Sequence, residues 1–67
     1  MKTQFGNILL RRRKELGFTQ EYIAKALHLS AQAISKWERG ETMPDILLLP
    51  ALADLLQTST DELLGHH

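Results

Sequence analysis

Apolar residues recur along this chain at spacings of three and four, the mark of amphipathic helices. No run alternates apolar with polar as a half-buried strand would. Phe5, Leu9 and Leu16, with Ile8 beside them, predict a first helix over about Thr3 to Leu16, closed by Gly17. Thr19 is placed to cap a second helix, in which Ile23, Ala24 and Leu27 share a face and Tyr22 flanks it. His28 and Leu29 make a short turn. Ser30 then caps a third helix from Ala31 to about Arg39, stopped by Gly40. Residues 40–44 read as a loop. Asp45 is placed to cap a fourth helix in the Leu47 to Leu56 region, where Pro50 is tolerable only near the start. Ser59-Thr60-Asp61-Glu62 is a capping-box sequence. It opens a fifth helix whose Leu63 and Leu64 are expected to face the core before Gly65 ends it. The pattern predicts an all-α fold, five short helices in one domain over residues 1–65. His66 and His67 form a tail, native or left by a purification tag.

The second and third helices, each with its own cap and about three residues apart, have the spacing of a helix-turn-helix. Ala24 offers the small side chain that lets the third helix cross closely, and Leu29 and Ile34 are expected to close a small core between them. At about 100° per residue, Ile34 and Trp37 fall on the inner half of the third helix. Gln32, Ser35, Lys36 and Arg39 fall on the outer half, a face without carboxylates that can approach phosphates and base edges without repulsion.

Composition narrows the function classes. The 67 residues are 43% hydrophobic, ordinary for a folded domain, and include no cysteine. A disulfide scaffold, a zinc finger and a thiol nucleophile are excluded. The longest apolar stretch, Ile46 to Leu56, is broken by Pro50 and Asp54 and falls short of the roughly 20 residues a bilayer needs. The first residues hold no signal-peptide core, so a soluble domain of the cytoplasm is expected. Net charge is zero, with eight basic and eight acidic residues, which by itself argues against a nucleic-acid binder. The distribution reverses that. All the basic residues lie at or before Arg39, against Glu15, Glu21 and Glu38, a surplus of +5; from Gly40 on there are only five acidic residues, a balance of −5. One half suits a polyanion, and the other faces something else.

The ordered set Gly17-Phe18-Thr19-Gln20-Glu21-Tyr22-Ile23-Ala24, Leu29-Ser30-Ala31-Gln32-Ala33-Ile34-Ser35-Lys36-Trp37-Glu38-Arg39-Gly40 and Pro44, continued by Ser59 to Gly65, resembles the phage repressor/Cro-type helix-turn-helix family, which includes the xenobiotic-response-element-type bacterial regulators. The resemblance runs from Phe5 to Gly65. It implies a five-helix lambda-repressor-like domain that binds double-stranded DNA with its third helix in the major groove, as a homodimer on a palindromic operator. It implies base reading by Ala31, Gln32 and Lys36, with Ala33 and Ser35 at the margins. It implies phosphate contacts from Arg13, Thr19, Gln20, Ser30, Arg39, Gly40 and Thr42, and a structural ion pair between Arg13 and Glu38. Chemistry supports these roles. An amide such as Gln32 can pair with two groups on adenine, Lys36 can donate to guanine or phosphate, and an alanine methyl can meet a thymine methyl. The chain departs from the pattern in three places. His28 replaces a turn residue that is usually glycine, Tyr22 a frequent glutamate, and Arg12 a frequently apolar residue.

Plainer readings stand beside these. Arg11-Arg12-Arg13-Lys14 goes round a helix, so the four cannot all face DNA. Trp37 is a packing residue rather than a platform for bases, and Ser30 is a cap before it is a phosphate ligand. The Ile46 to Leu56 segment is mostly core, with any exposed part a dimer or partner surface. Asp61 and Glu62 diverge on their helix, and His28, His66 and His67 lack metal-pair spacing, so neither an enzyme nor a cofactor or metal site is expected. The expected function is a transcriptional regulator, a repressor before an activator. Rival functions on the same fold are an antitoxin, or a protein-interaction adaptor using helices 4 and 5. A further C-terminal domain or a protein partner is also open.

Overall fold

The structure is a computed structural model that describes residues 4–65. The expected start of the first helix at Thr3 and the His66–His67 tail lie outside the described residues. Five α-helices follow in order: α1 (Phe5–Glu15), α2 (Gln20–Ala26), α3 (Ala31–Glu38), α4 (Leu49–Leu55) and α5 (Thr60–Leu63). A single 3₁₀ turn, Ile46–Leu48, leads into α4. The described residues contain no strand.

The starts of α2, α3, α5 and the 3₁₀ turn are each fixed by a side chain satisfying an N–H that has no partner within the helix. Thr19 Oγ1 accepts from the Tyr22 N–H at 2.9 Å, Ser30 Oγ from Ala33 at 3.3 Å, and Ser59 Oγ from Glu62 at 3.0 Å. Asp45 caps the 3₁₀ turn rather than α4, accepting from the Leu47 N–H at 2.9 Å. Pro50 sits in the first turn of α4, where its missing N–H costs nothing. The reciprocal half of the capping box takes another form. The Glu62 carboxylate accepts from the Thr58 hydroxyl at 2.8 Å.

The ends of α1 to α4 share one geometry. The third residue past each helix donates back to a carbonyl of the last turn, as in Phe18 to Arg13, Leu29 to Ala24, Glu41 to Lys36 and Thr58 to Ala53. This requires a left-handed residue in between. Two of those residues are not glycine: His28 at φ 60° and Gln57 at φ 57°.

Phe5, Leu9, Ile23, Ile34, Leu52, Leu56 and Leu63 are fully buried and form one core with Ala24, Trp37, Leu49 and Ala53. Four apolar positions differ from the pattern reading. Leu64 is 38% exposed, because α5 is too short for two adjacent leucines to face inward. Leu29 is 37% exposed; it joins the turn through its backbone rather than closing the core. Ile46 and Leu47 are 75% and 84% exposed, since the 3₁₀ turn sends Leu48 and Leu49 inward and leaves the first two outside.

Arg12, which stands where an apolar residue is common, is half-buried and turned toward α4. Its Nε donates to the Leu56 carbonyl at 2.8 Å and Nη2 to that of Gln57 at 3.1 Å, while Nη1 meets Glu15 at 3.3 Å. A cation there satisfies carbonyls at the C-terminal end of α4, where the helix dipole favours positive charge.

Candidate nucleic-acid interface

The position of α3 is fixed from behind by two devices. The first is Gly6. A Cβ there would stand 2.6 Å from the Trp37 carbonyl oxygen and 2.7 Å from that of Glu38, so α1 meets the end of α3 backbone to backbone. The second is the carboxylate of Glu38, whose side chain is only 6% exposed. It accepts three N–H groups. Arg13 Nε reaches Oε2 at 2.7 Å, Arg13 Nη2 reaches Oε1 at 3.1 Å, and Gln20 Nε2 reaches Oε1 at 2.9 Å. Arg13 Nη1 donates to the Phe18 carbonyl at 2.9 Å. Three helices therefore meet at one buried carboxylate: α1 through Arg13, α2 through Gln20 and α3 through Glu38. Hydrogen bonding to Glu38 raises the Arg13 pKa above its ordinary value against the opposing effect of burial, so the guanidinium stays charged.

With its inner side anchored, α3 turns the rest outward. Gln32, Lys36 and Arg39 are exposed, while Ala31, Ala33 and Ser35 are half-buried along the edges of the face. Trp37 is 5% exposed and belongs to the core. Arg39 Nε meets Glu41 at 2.6 Å, but both side chains are half in solvent, so this pair contributes little and can open. Thr19 and Ser30 are exposed at the starts of α2 and α3. Each accepts one backbone N–H through its hydroxyl oxygen and keeps its own O–H to donate. Gly40 and Thr42 lie exposed past the end of α3.

Two residues expected at phosphates are already engaged inside the protein. The Arg13 side chain is 12% exposed and shares its donors between Glu38 and Phe18. Gln20 is half-buried against Glu38. Of the basic run, Arg11 and Lys14 are exposed, while Arg12 is committed to the end of α4. Pattern reading missed Gly6, the Gln20–Glu38 bond and the Arg12 cap. Each depends on a group distant in sequence, and only the position of Gly6 among helix formers hinted that something crosses close by.

Among the described residues, no three His, Asp or Glu side chains are grouped to hold a metal ion, and no helix is long and apolar enough to cross a membrane.

Comparison with known proteins agrees with this geometry. The helix-turn-helix family model matches residues 9–63. YazB of Bacillus subtilis, an HTH-type transcriptional regulator, is 43% identical over 51 residues, which are 76% of this chain and 74% of YazB. Repressor protein C2 of Salmonella phage P22 is 45% identical over 65 residues, but these are only 30% of that protein. The P22 c2 repressor in complex with a synthetic operator has a similar structure, with a TM-score of 0.87 and 41% identity over 94% of this chain and 96% of that one. The fold also recurs in the hydroxypropylphosphonic acid epoxidase of S. wedmorenis, at a TM-score of 0.85 and 26% identity, over 94% of this chain and 34% of that enzyme. With the family match spanning most of its length and YazB and the P22 repressor similar to it over 76% and 96% of the chain, the chain belongs to the Cro/C1-type helix-turn-helix family of transcriptional regulators.

Proposed function

We propose that this domain binds a specific double-stranded DNA sequence with α3 in the major groove and represses transcription by occupying it. The observation that carries this reading is the outer face of α3. Gln32, Lys36 and Arg39 project from a helix held rigidly behind, with no carboxylate among them on that face. The P22 c2 repressor, of similar structure, is known on a synthetic operator. Gln32 and Lys36 read base edges, flanked by Ala31, Ala33 and Ser35. Thr19, Gln20, Ser30, Arg39, Gly40 and Thr42 hold phosphates, and Arg13 reaches a phosphate only with its exposed rim. Phosphate contacts set register, and base contacts set sequence preference.

The active form is a homodimer. Ile46 and Leu47 are the most exposed large apolar side chains described, and a second copy covers them. A domain of 28 × 23 × 23 Å lets two abutting copies place their reading helices about 34 Å apart, one turn of DNA. The domain acts by binding rather than catalysis, in the cytoplasm where its DNA lies. The epoxidase likeness concerns about a third of that enzyme and its fold, not the outer face of α3.

Titration of a duplex DNA library at rising salt tests this. Log affinity should fall linearly with log salt as phosphate contacts release counterions. A flat response would favour an adaptor or antitoxin whose partner is a protein.

A further inference from the structure

We propose that Gln20 is a positioning residue, whose amide bond to Glu38 fixes the roll of α3 on α2 and so sets sequence discrimination, beyond any phosphate it touches. The inference rests on the DNA-binding reading of α3. The buried residues of α2 and α3 are all apolar: Ile23 and Ala24 on one, Ile34 and Trp37 on the other. Apolar burial holds two helices together without fixing their rotation, because it is non-directional. A hydrogen bond is directional. The bond from Gln20 Nε2 to Glu38 Oε1, at 2.9 Å, joins the first residue of α2 to the last of α3. Arg13 fixes the same carboxylate to α1. Glu38 is thus held from two sides, and its helix is held in roll as well as in position.

Discrimination depends on that roll. Gln32 and Lys36 project from the far side of α3, where a small rotation of the helix moves their tips away from base edges. Recognition groups tolerate misplacement of only about 0.5 Å. Contacts to phosphate have looser requirements, so a rolled helix still binds DNA but reads it less well. The bond to Glu38 uses one of the two amide hydrogens of Gln20 and leaves the other for a phosphate.

The test is Gln20→Met, which keeps an unbranched side chain of similar length and removes the donor. Affinity is measured on the operator selected by the parent protein and on random-sequence duplex. Amide exchange of Trp37, Glu38 and Arg39 is followed in the free protein. The proposal predicts that Gln20→Met weakens operator binding about tenfold more than it weakens binding to random DNA: the part shared by both is the lost phosphate contact, and the difference is the scale of one hydrogen bond to a charged group. It also predicts faster exchange at the end of α3. Equal losses on the two DNAs overturn it and leave Gln20 a phosphate contact alone. If the parent selects no operator, the DNA reading falls and exchange alone decides the tie: faster exchange supports it and unchanged exchange refutes it.

Discussion

Gly6 and Trp37 touch backbone to backbone, with no room for a single methyl group between the Cα of one and the carbonyl of the other. This contact lets α1 lie against the end of α3. Gly6→Ala must therefore push the two helices apart, although alanine favours a helix. We expect a net destabilisation of about 1–3 kcal/mol, the usual cost of overpacking, measured by denaturant unfolding. Because the displaced element is α3, operator affinity of the folded protein should fall too.

The Arg13–Glu38 pair gives a second prediction. Glu38→Ala strands a nearly buried guanidinium whose remaining acceptor is the Phe18 carbonyl. Breaking a buried pair in this way costs about 3 kcal/mol or more, readable as a lowered unfolding midpoint. Arg13 has a raised pKa when folded, so its contribution is complete below its ordinary value and is lost only as pH rises through the folded value. That window is strongly alkaline. The arginine should give stability no dependence on pH near neutrality.

The left-handed helix ends at His28 and Gln57 predict stabilising changes. An L-residue in that conformation carries about 1–2 kcal/mol of strain that glycine avoids, offset in part by the extra freedom of glycine in the unfolded chain. His28→Gly and Gln57→Gly should each raise stability by about 0.5–1 kcal/mol in thermal melts. The Gln57 carbonyl that accepts from Arg12 is retained in the variant.

Arg12 illustrates what pattern reading reaches and where it stops. The caps at Thr19, Ser30 and Ser59 are local, since hydroxyl and N–H lie three residues apart, and the order of residues alone reveals them. The inner half of α3 was equally legible from helical period. Arg12 lies in a run of four basic residues that reads as a solvated face, and its partners are 44 and 45 residues away. Nothing near it in sequence announces them. Gly6 hints only that something crosses close by, and what it meets, the carbonyls of Trp37 and Glu38, lies far off in sequence. Ile46 and Leu47 failed differently: a leucine-rich run reads as core, and only the 3₁₀ turn separates the outward pair from Leu48 and Leu49. Arg12→Met should cost about 1–2 kcal/mol through the lost carbonyl bonds, while operator affinity of the folded protein stays unchanged.

Ile46→Lys with Leu47→Lys tests the dimer. Both side chains are exposed, so monomer stability should move by no more than about 0.5 kcal/mol. Binding to a palindromic operator should lose its cooperativity while binding to a half-site persists. Unchanged cooperativity would place the dimer contact elsewhere.

Selection from random duplex DNA, run side by side on the parent protein and on Gln32→Ala, tests the outer face of α3 most directly. The parent should enrich an inverted repeat, and Gln32→Ala should relax one base position in each half-site at a cost of about 1–3 kcal/mol. An enriched motif that the substitution leaves unchanged, or a loss spread evenly over all sequences, would contradict base reading by Gln32, and no motif from the parent would contradict sequence recognition by α3 altogether.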